Sequence, residues 1–163
     1  MVRYVFFSFH YERDVWRANQ IRHSWVTRDI AEAGFIDTAD FEEVQRKGDA
    51  AIKKWIDDQL IGTSVTVVLI GTETSTRPYV TYEIQQSYVK KNGLLGIYIH
   101  NLKDQKSQTD YRGSNPFDSL YIPSSDGSKT YLSNLYPTYD WVTDRGYENI
   151  GKWVEQAAQK AGK

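Results

Sequence analysis

The run Val65-Thr66-Val67-Val68-Leu69-Ile70 is apolar or β-branched at every position. It has strand length and none of the alternation expected of a sheet with one wet face, so it calls for a strand covered on both sides. Val2-Arg3-Tyr4-Val5-Phe6-Phe7-Ser8-Phe9 has nearly the same character. Each run leads into a segment of helical periodicity. Doubly covered strands alternating with helices point to an α/β fold: a parallel sheet joined by right-handed crossovers, with helices on both faces.

The remaining elements follow the same rhythm. A helix capped by Asp14 runs to about Thr27 with Val15, Ala18, Ile21 and Trp25 at helical spacing. Gly34-Phe35-Ile36-Asp37 reads as a short second strand, followed by a polar loop ending near Gly48 and Asp49, where a helix over Ala50 to Leu60 is capped. That helix puts Ile52, Trp55, Ile56 and Leu60 on one face. Strand three, from Ser64 to Ile70, is followed by the polar turn Gly71 to Arg77, and Pro78 opens a helix reaching about Lys91. Leu94 to Ile99 is strand four, Tyr139 to Val142 a short edge strand, and Gly146 to Ala161 the last helix. Between them, Asn101 to Tyr136 reads as a long loop with a hairpin around Ser125-Asp126-Gly127. The 163 residues suit one domain, 1–163, carrying a loop insertion at about 101–138.

Charge and composition narrow the function. With 20 basic against 21 acidic residues the net charge is -1, which supplies no field for nucleic acid or an anionic membrane. No apolar stretch approaches a bilayer-spanning length, and Met1 opens into the first strand without a signal-peptide layout, so a cytoplasmic protein is expected. The absence of cysteine removes thiolate nucleophiles and cysteine metal sites, and His23 and His100 lack partners at metal-ligand spacing, so no metal is expected. Ile70-Gly71-Thr72 offers a single glycine, not a dinucleotide-binding fingerprint.

In a flavodoxin-like strand order of 2-1-3-4-5, ligands bind beyond the carboxyl ends of strands one and three. The segments arriving there are Ser8 to Tyr11, Asp37 onward, and Gly71 to Glu83. Tyr79 and Glu83 are four apart and share a helical face near that point, with Tyr82 beside them. An aromatic ring next to a carboxylate suits a sugar: the ring packs it and the carboxylate stabilises positive charge at the anomeric carbon. Ser8 is placed to hydrogen-bond backbone or ribose, Phe9 and His10 to face a nucleotide, and Arg77 to meet a pyrophosphate.

Phe6-Phe7-Ser8-Phe9-His10 with Asp14 resembles the first conserved box of TIR domains. Tyr79-Val80-Thr81-Tyr82-Glu83 resembles the Trp-x-x-x-Glu motif of TIR enzymes, with Tyr79 in the place of the Trp. Thr63-Ser64-Val65-Thr66, Asn115-Pro116-Phe117-Asp118 and Tyr139-Asp140-Trp141-Val142 extend the likeness to the TIR-like proteins of the Thoeris bacterial anti-phage system. The resemblance implies a TIR-like three-layer fold with about five parallel strands and an enzyme that takes NAD as substrate, with no cofactor besides. It implies that Glu83 is catalytic, and that nicotinamide leaves while ADP-ribose becomes a cyclic or modified signal for a partner effector. A phage-derived trigger and a homo-oligomer belong to the same expectation. The alternative is a TIR-like protein-interaction module in which Glu83 is structural. A phosphoacceptor receiver domain ranks last, since no acidic residue ends strand three.

Overall fold

The computed structural model describes residues 3–25, 31–33 and 38–163. In chain order its elements are β1 (Tyr4–Ser8), α1 (Tyr11–Trp25), β2 (Ala31–Ala33), α2 (Thr38–Arg46), α3 (Asp49–Leu60), β3 (Val65–Ile70), α4 (Pro78–Val89), β4 (Gly93–Tyr98), β5 (Tyr121–Pro123), β6 (Lys129–Tyr131), β7 (Thr138–Asp140) and α5 (Gly146–Lys160). Five strands form one sheet in the order β2-β1-β3-β4-β7, and every neighbouring pair is parallel. This is the expected 2-1-3-4-5 winding, with β7 as its fifth strand.

Alternation along the central strands divides the core into two layers. Val5, Phe7, Val65, Val67, Leu69, Leu95 and Ile97 point to the face covered by α1 and α5, where Ala18, Ile21, Ile150 and Val154 meet them. Phe6 points to the opposite face, toward Ile52 and Ile56 of α3. Val68, Ile70 and Leu94 also point there, under Val80 and Ile84 of α4. Both faces of β1 and β3 are therefore dry, which is why their sequences are continuously apolar.

Several local expectations are corrected. Asp14 does not cap α1 but lies inside its first turn, its N–H donating to the His10 carbonyl at 2.9 Å. The polar stretch read as a loop before Gly48 contains α2, a helix whose charged sequence hides its periodicity. The second strand is described at Ala31–Ala33, whereas the expected Gly34 to Asp37 lies outside the described residues.

The stretch after β4 holds the β5–β6 hairpin, turning through Asp126 and Gly127 as expected. It is also tied down. Arg17, only 4% exposed, donates from Nε to the Leu102 carbonyl at 2.7 Å and from Nη2 to the Gln108 carbonyl at 3.0 Å, while Arg13 pairs with Asp110 at 2.9 Å.

Gly93 opens β4 where α5 comes closest: a Cβ there would stand 2.5 Å from the Ala157 carbonyl oxygen. Backbone cannot yield as a side-chain tip can. Gly93→Ala is expected to destabilise by about 1–3 kcal/mol, read as a fall in Tm of roughly 2–4 °C per kcal/mol for a chain of this size. An unchanged Tm would show that α5 does not press on the strand.

Candidate active site

At the carboxyl ends of β1 and β3 the winding reverses, and a cleft opens between the start of α1, α3 and α4. Its empty space of about 700 Å³ includes open solvent at its mouth, so its lining rather than its volume marks it. Phe6 and Phe7 form its base, Phe9, His10, Tyr11 and Glu12 one wall, Ile52, Trp55 and Ile56 another, and Arg77, Tyr79, Val80 and Glu83 the third. A larger groove lies at the opposite end of the sheet, between the end of α4, residues 122–137 and α5. Among the described residues, none of the buried polar side chains without a hydrogen bond lies along it, whereas the cleft has Glu83. Chemistry rather than size selects the cleft.

Glu83 reaches it because α4 starts sharply. The Gly71 N–H donates to Thr74 Oγ1 at 2.8 Å, a short turn covers Thr74–Thr76, and Pro78 takes the first helical position. The face of α4 that carries Val80, Ile84 and Ser87 packs onto the sheet, and Glu83 falls within it. Ser87 Oγ donates to the Glu83 carbonyl at 2.6 Å and shares a hydrogen bond with Thr66 Oγ1 at 2.7 Å, which seats this turn of the helix on β3.

Glu83 is 9% exposed, and its buried Oε2 makes no hydrogen bond. Burial pushes its pKa up to about 8, only partly opposed by the nearby Ser8 hydroxyl. Ser8 itself is fully buried and its Oγ makes no regular hydrogen bond. A carboxyl and a hydroxyl, both buried and without a regular hydrogen bond beside a cleft, mark a candidate functional site.

His10 is 7% exposed, with Nε2 3.6 Å from Glu73 Oε2. Burial, assisted by the Arg77 charge, lowers its pKa against the opposing pull of Glu73 and Glu12. It therefore faces the cleft largely neutral at neutral pH. Arg77 is exposed at the mouth. The Tyr79 hydroxyl donates to Asp49 Oδ1 at 2.8 Å, which holds its ring across the gap between α4 and α3.

The structure thus brings Phe9, His10, Arg77, Tyr79 and Glu83 together, with Ser8 immediately behind. Tyr82 is elsewhere: its hydroxyl sits 3.0 Å from both oxygens of Asp57, Lys53 lies 5.4 Å from its ring centre, and it is not part of the cleft lining. Tyr82 directly precedes Glu83, and adjacent helical residues do not face the same way. Asp37 lies outside the described residues. Sequence reasoning missed Trp55 and Gln45 as lining residues. The apolar stripe of α3 marked Trp55 as inward-facing, but a stripe does not distinguish a core from a cleft. It also missed the burial of Asp14, whose two oxygens lie under Gly71 without a hydrogen bond; burial lifts its pKa to about 6 against the pull of Arg17, whose Nη1 is 3.8 Å from Oδ1.

A family model described as "Thoeris protein ThsB, TIR-like domain" matches residues 6–104. The chain belongs to this Thoeris TIR-like family. The match contains β1 from Phe6 onward, α3, β3, α4 and every residue that lines the cleft. A relative from Bacillus cereus (strain MSX-D12), named "Putative cyclic ADP-D-ribose synthase ThsB1", is 36% identical over 191 aligned positions, which span 94% of this chain and the whole of that protein. Among the described residues of this Thoeris TIR-like chain, no three His, Cys, Asp or Glu side chains are grouped to hold a metal, and no helix is long and apolar enough to cross a membrane.

Proposed function

We propose that this protein cleaves NAD between nicotinamide and ribose and converts the ADP-ribose part into a cyclic or otherwise modified nucleotide signal for anti-phage defence. The observation that carries the reading is the Glu83 carboxyl, buried and unsatisfied in an aromatic-walled cleft at the point where the sheet winding reverses. The name of the Bacillus cereus relative supports the same chemistry.

In this mechanism the glycosidic bond electrons leave with nicotinamide, and the anomeric carbon becomes oxocarbenium-like. Ionised Glu83 stabilises that positive charge, and it does so strongly because the site is dry. Ser8 is placed to hydrogen-bond Glu83 or a ribose hydroxyl. Arg77 and neutral His10 stand at the side where the diphosphate and adenosine would extend. Ring closure follows when a nucleophilic atom of the same molecule captures the anomeric carbon and loses its proton; capture by water instead yields ADP-ribose. The cleft walls Phe9, Trp55 and Tyr79 favour the first outcome by limiting water. The product acts on a partner effector, with a phage-derived trigger and self-association as further requirements of the cytoplasmic pathway.

The purified chain is expected to release nicotinamide from NAD, alone or with extract from phage-infected cells, and mass spectrometry should show a product with the mass of ADP-ribose less one water. Absence of nicotinamide release under both conditions would refute the enzyme reading and leave a protein-interaction module.

A further inference from the structure

Asp49 is the first residue of α3. Gly48 before it has φ 97°, and the Gly48 carbonyl accepts from the Ile52 N–H at 3.1 Å, which fixes where the helix begins. The Asp49 side chain is exposed and does not line the cleft. Its oxygens are divided between two partners: Oδ1 accepts from the Tyr79 hydroxyl of α4 at 2.8 Å, and Oδ2 stands 3.3 Å from Lys53 Nζ. These contacts hold Asp49 below the usual carboxylate range, so the phenol donates to a full negative charge at neutral pH. Further along α3, Asp57 receives the Tyr82 hydroxyl at 3.0 Å on both oxygens, and its carbonyl accepts from Lys90 Nζ at 3.1 Å. Asp49, Lys53 and Asp57 thus form one edge of α3, tied to α4 at both ends. The two ties differ in what they hold. The Tyr79 ring packs on the cluster of Phe6, Ile52 and Ile56 and lines the cleft one helical turn before Glu83, whereas Tyr82 is outside the lining.

We infer that Asp49 is a positioning residue for the reaction: without touching substrate, it fixes the Tyr79 ring across the gap between α3 and α4 and so steers the product toward ring closure and away from hydrolysis. This rests on the proposed NAD chemistry and adds to it a residue outside the cleft that sets the outcome. A helical tyrosine has two common χ1 rotamers. A bond at the tip of the ring selects one of them, and Asp49 is the group that makes it. In both outcomes the bond from the anomeric carbon to nicotinamide breaks, and its electron pair leaves with nicotinamide. A lone pair then forms the new bond. It comes from an atom of the same ADP-ribose, which sheds its proton to solvent, or from water, which sheds one proton and leaves its oxygen on the carbon. The two routes share every step before capture, so their ratio reports how much water reaches that carbon. A tethered ring keeps water out, and a free ring admits it.

The test is the ratio of ADP-ribose to the product lighter by one water, measured by mass spectrometry at equal nicotinamide release. It uses whichever condition, alone or with extract from phage-infected cells, supports wild-type turnover, with extract alone as the blank. Tyr79→Phe keeps the ring and loses the donor; Asp49→Ala loses the acceptor. Each should raise the ratio about fivefold, the factor that one net hydrogen bond commands, and the double variant should raise it no further. Asp49→Asn keeps an oxygen for the phenol but not the charge, and should recover most of the wild-type ratio. Tyr82→Phe cuts the other tie between the same helices and should leave the ratio unchanged. Because only molecules that turn over contribute to the ratio, partial unfolding of a variant does not alter it. Four results would each overturn the inference and leave the enzyme reading standing: an unmoved ratio in Tyr79→Phe or Asp49→Ala, additive shifts in the double variant, an Asp49→Asn shift as large as that of Asp49→Ala, or an equal shift in Tyr82→Phe. A wild type that yields ADP-ribose alone overturns it as well. Absence of nicotinamide release from the wild type sinks the enzyme reading and this inference together.

Discussion

Glu83→Gln is expected to lower nicotinamide release by about 10²–10³-fold or more, the usual cost of removing a preorganised group that meets charge developing in the transition state. Gln keeps the shape and the hydrogen-bonding reach of Glu but cannot carry the negative charge. The same substitution is expected to make the protein more stable. The folded pKa of Glu83 is about 8 against an ordinary 4.5, so the folded protein keeps a proton that the unfolded chain sheds between those values. Stability therefore falls as pH rises through that window and stays low above it. At pH 7 this costs on the order of 3 kcal/mol. Gln carries no such term, so the variant should show a Tm several degrees higher at pH 8, with the difference vanishing near pH 4. Wild-type kcat/KM should rise with pH toward 8 as the free protein ionises. A variant that retains turnover would remove Glu83 from the chemistry; one that is less stable than wild type at pH 8 would contradict the desolvated carboxyl.

Phe117→Ala should be among the most damaging core truncations, although the residue lies in a stretch that reads as loop. Phe117 is 0% exposed and packs with Val68, Ile70, Val80, Ile84, Leu94 and Leu132 on the α4 side of the sheet. Its backbone N–H donates to Asn115 Oδ1 at 3.0 Å, and Asn115 Nδ2 in turn donates to Thr138 Oγ1 at 2.8 Å, which binds the turn to β7. Truncating a fully buried phenylalanine costs about 3–5 kcal/mol, a fall in Tm of roughly 10 °C for a chain of this size. Tyr111→Ala, in the same connection but 83% exposed, should shift Tm little. Equal effects of the two substitutions would mean that the connection does not complete the core.

Phe117 also shows where reading a sequence stops. A lone aromatic among Gly, Ser, Asn and Asp has no period, and burial of a loop residue depends on which strands leave a gap for it. The β1 and β3 runs are different: being covered on both faces is written into every consecutive position, so their existence and central place were legible. The alternation of strands and helices indicated a parallel sheet covered on both faces; the 2-1-3-4-5 order, which sets where the winding reverses, was the flavodoxin-like case of it, and the structure has that order. Glu83 could be assigned to that place by spacing from Pro78 and Tyr79. Tyr82, one residue before it, lies on a different side of the helix, and which side meets the cleft is decided only when the helix is seated on the sheet; α2 was hidden because so many of its residues are charged.

What the sequence determined alone is therefore the set of elements whose signal is local and repetitive: central strands, the faces of α3, α4 and α5, and the helix start that presents Glu83. The tertiary structure decided the state of that residue. Whether a glutamate is a solvated surface charge or a neutral, unsatisfied acid depends on what arrives opposite it. Here Ile52, Trp55 and Ile56 come from α3 and Phe6 and Phe7 from β1, all without charge, and Arg77 at the mouth does not offset the burial. Desolvation is a property of the assembled neighbours, and no spacing within α4 records it.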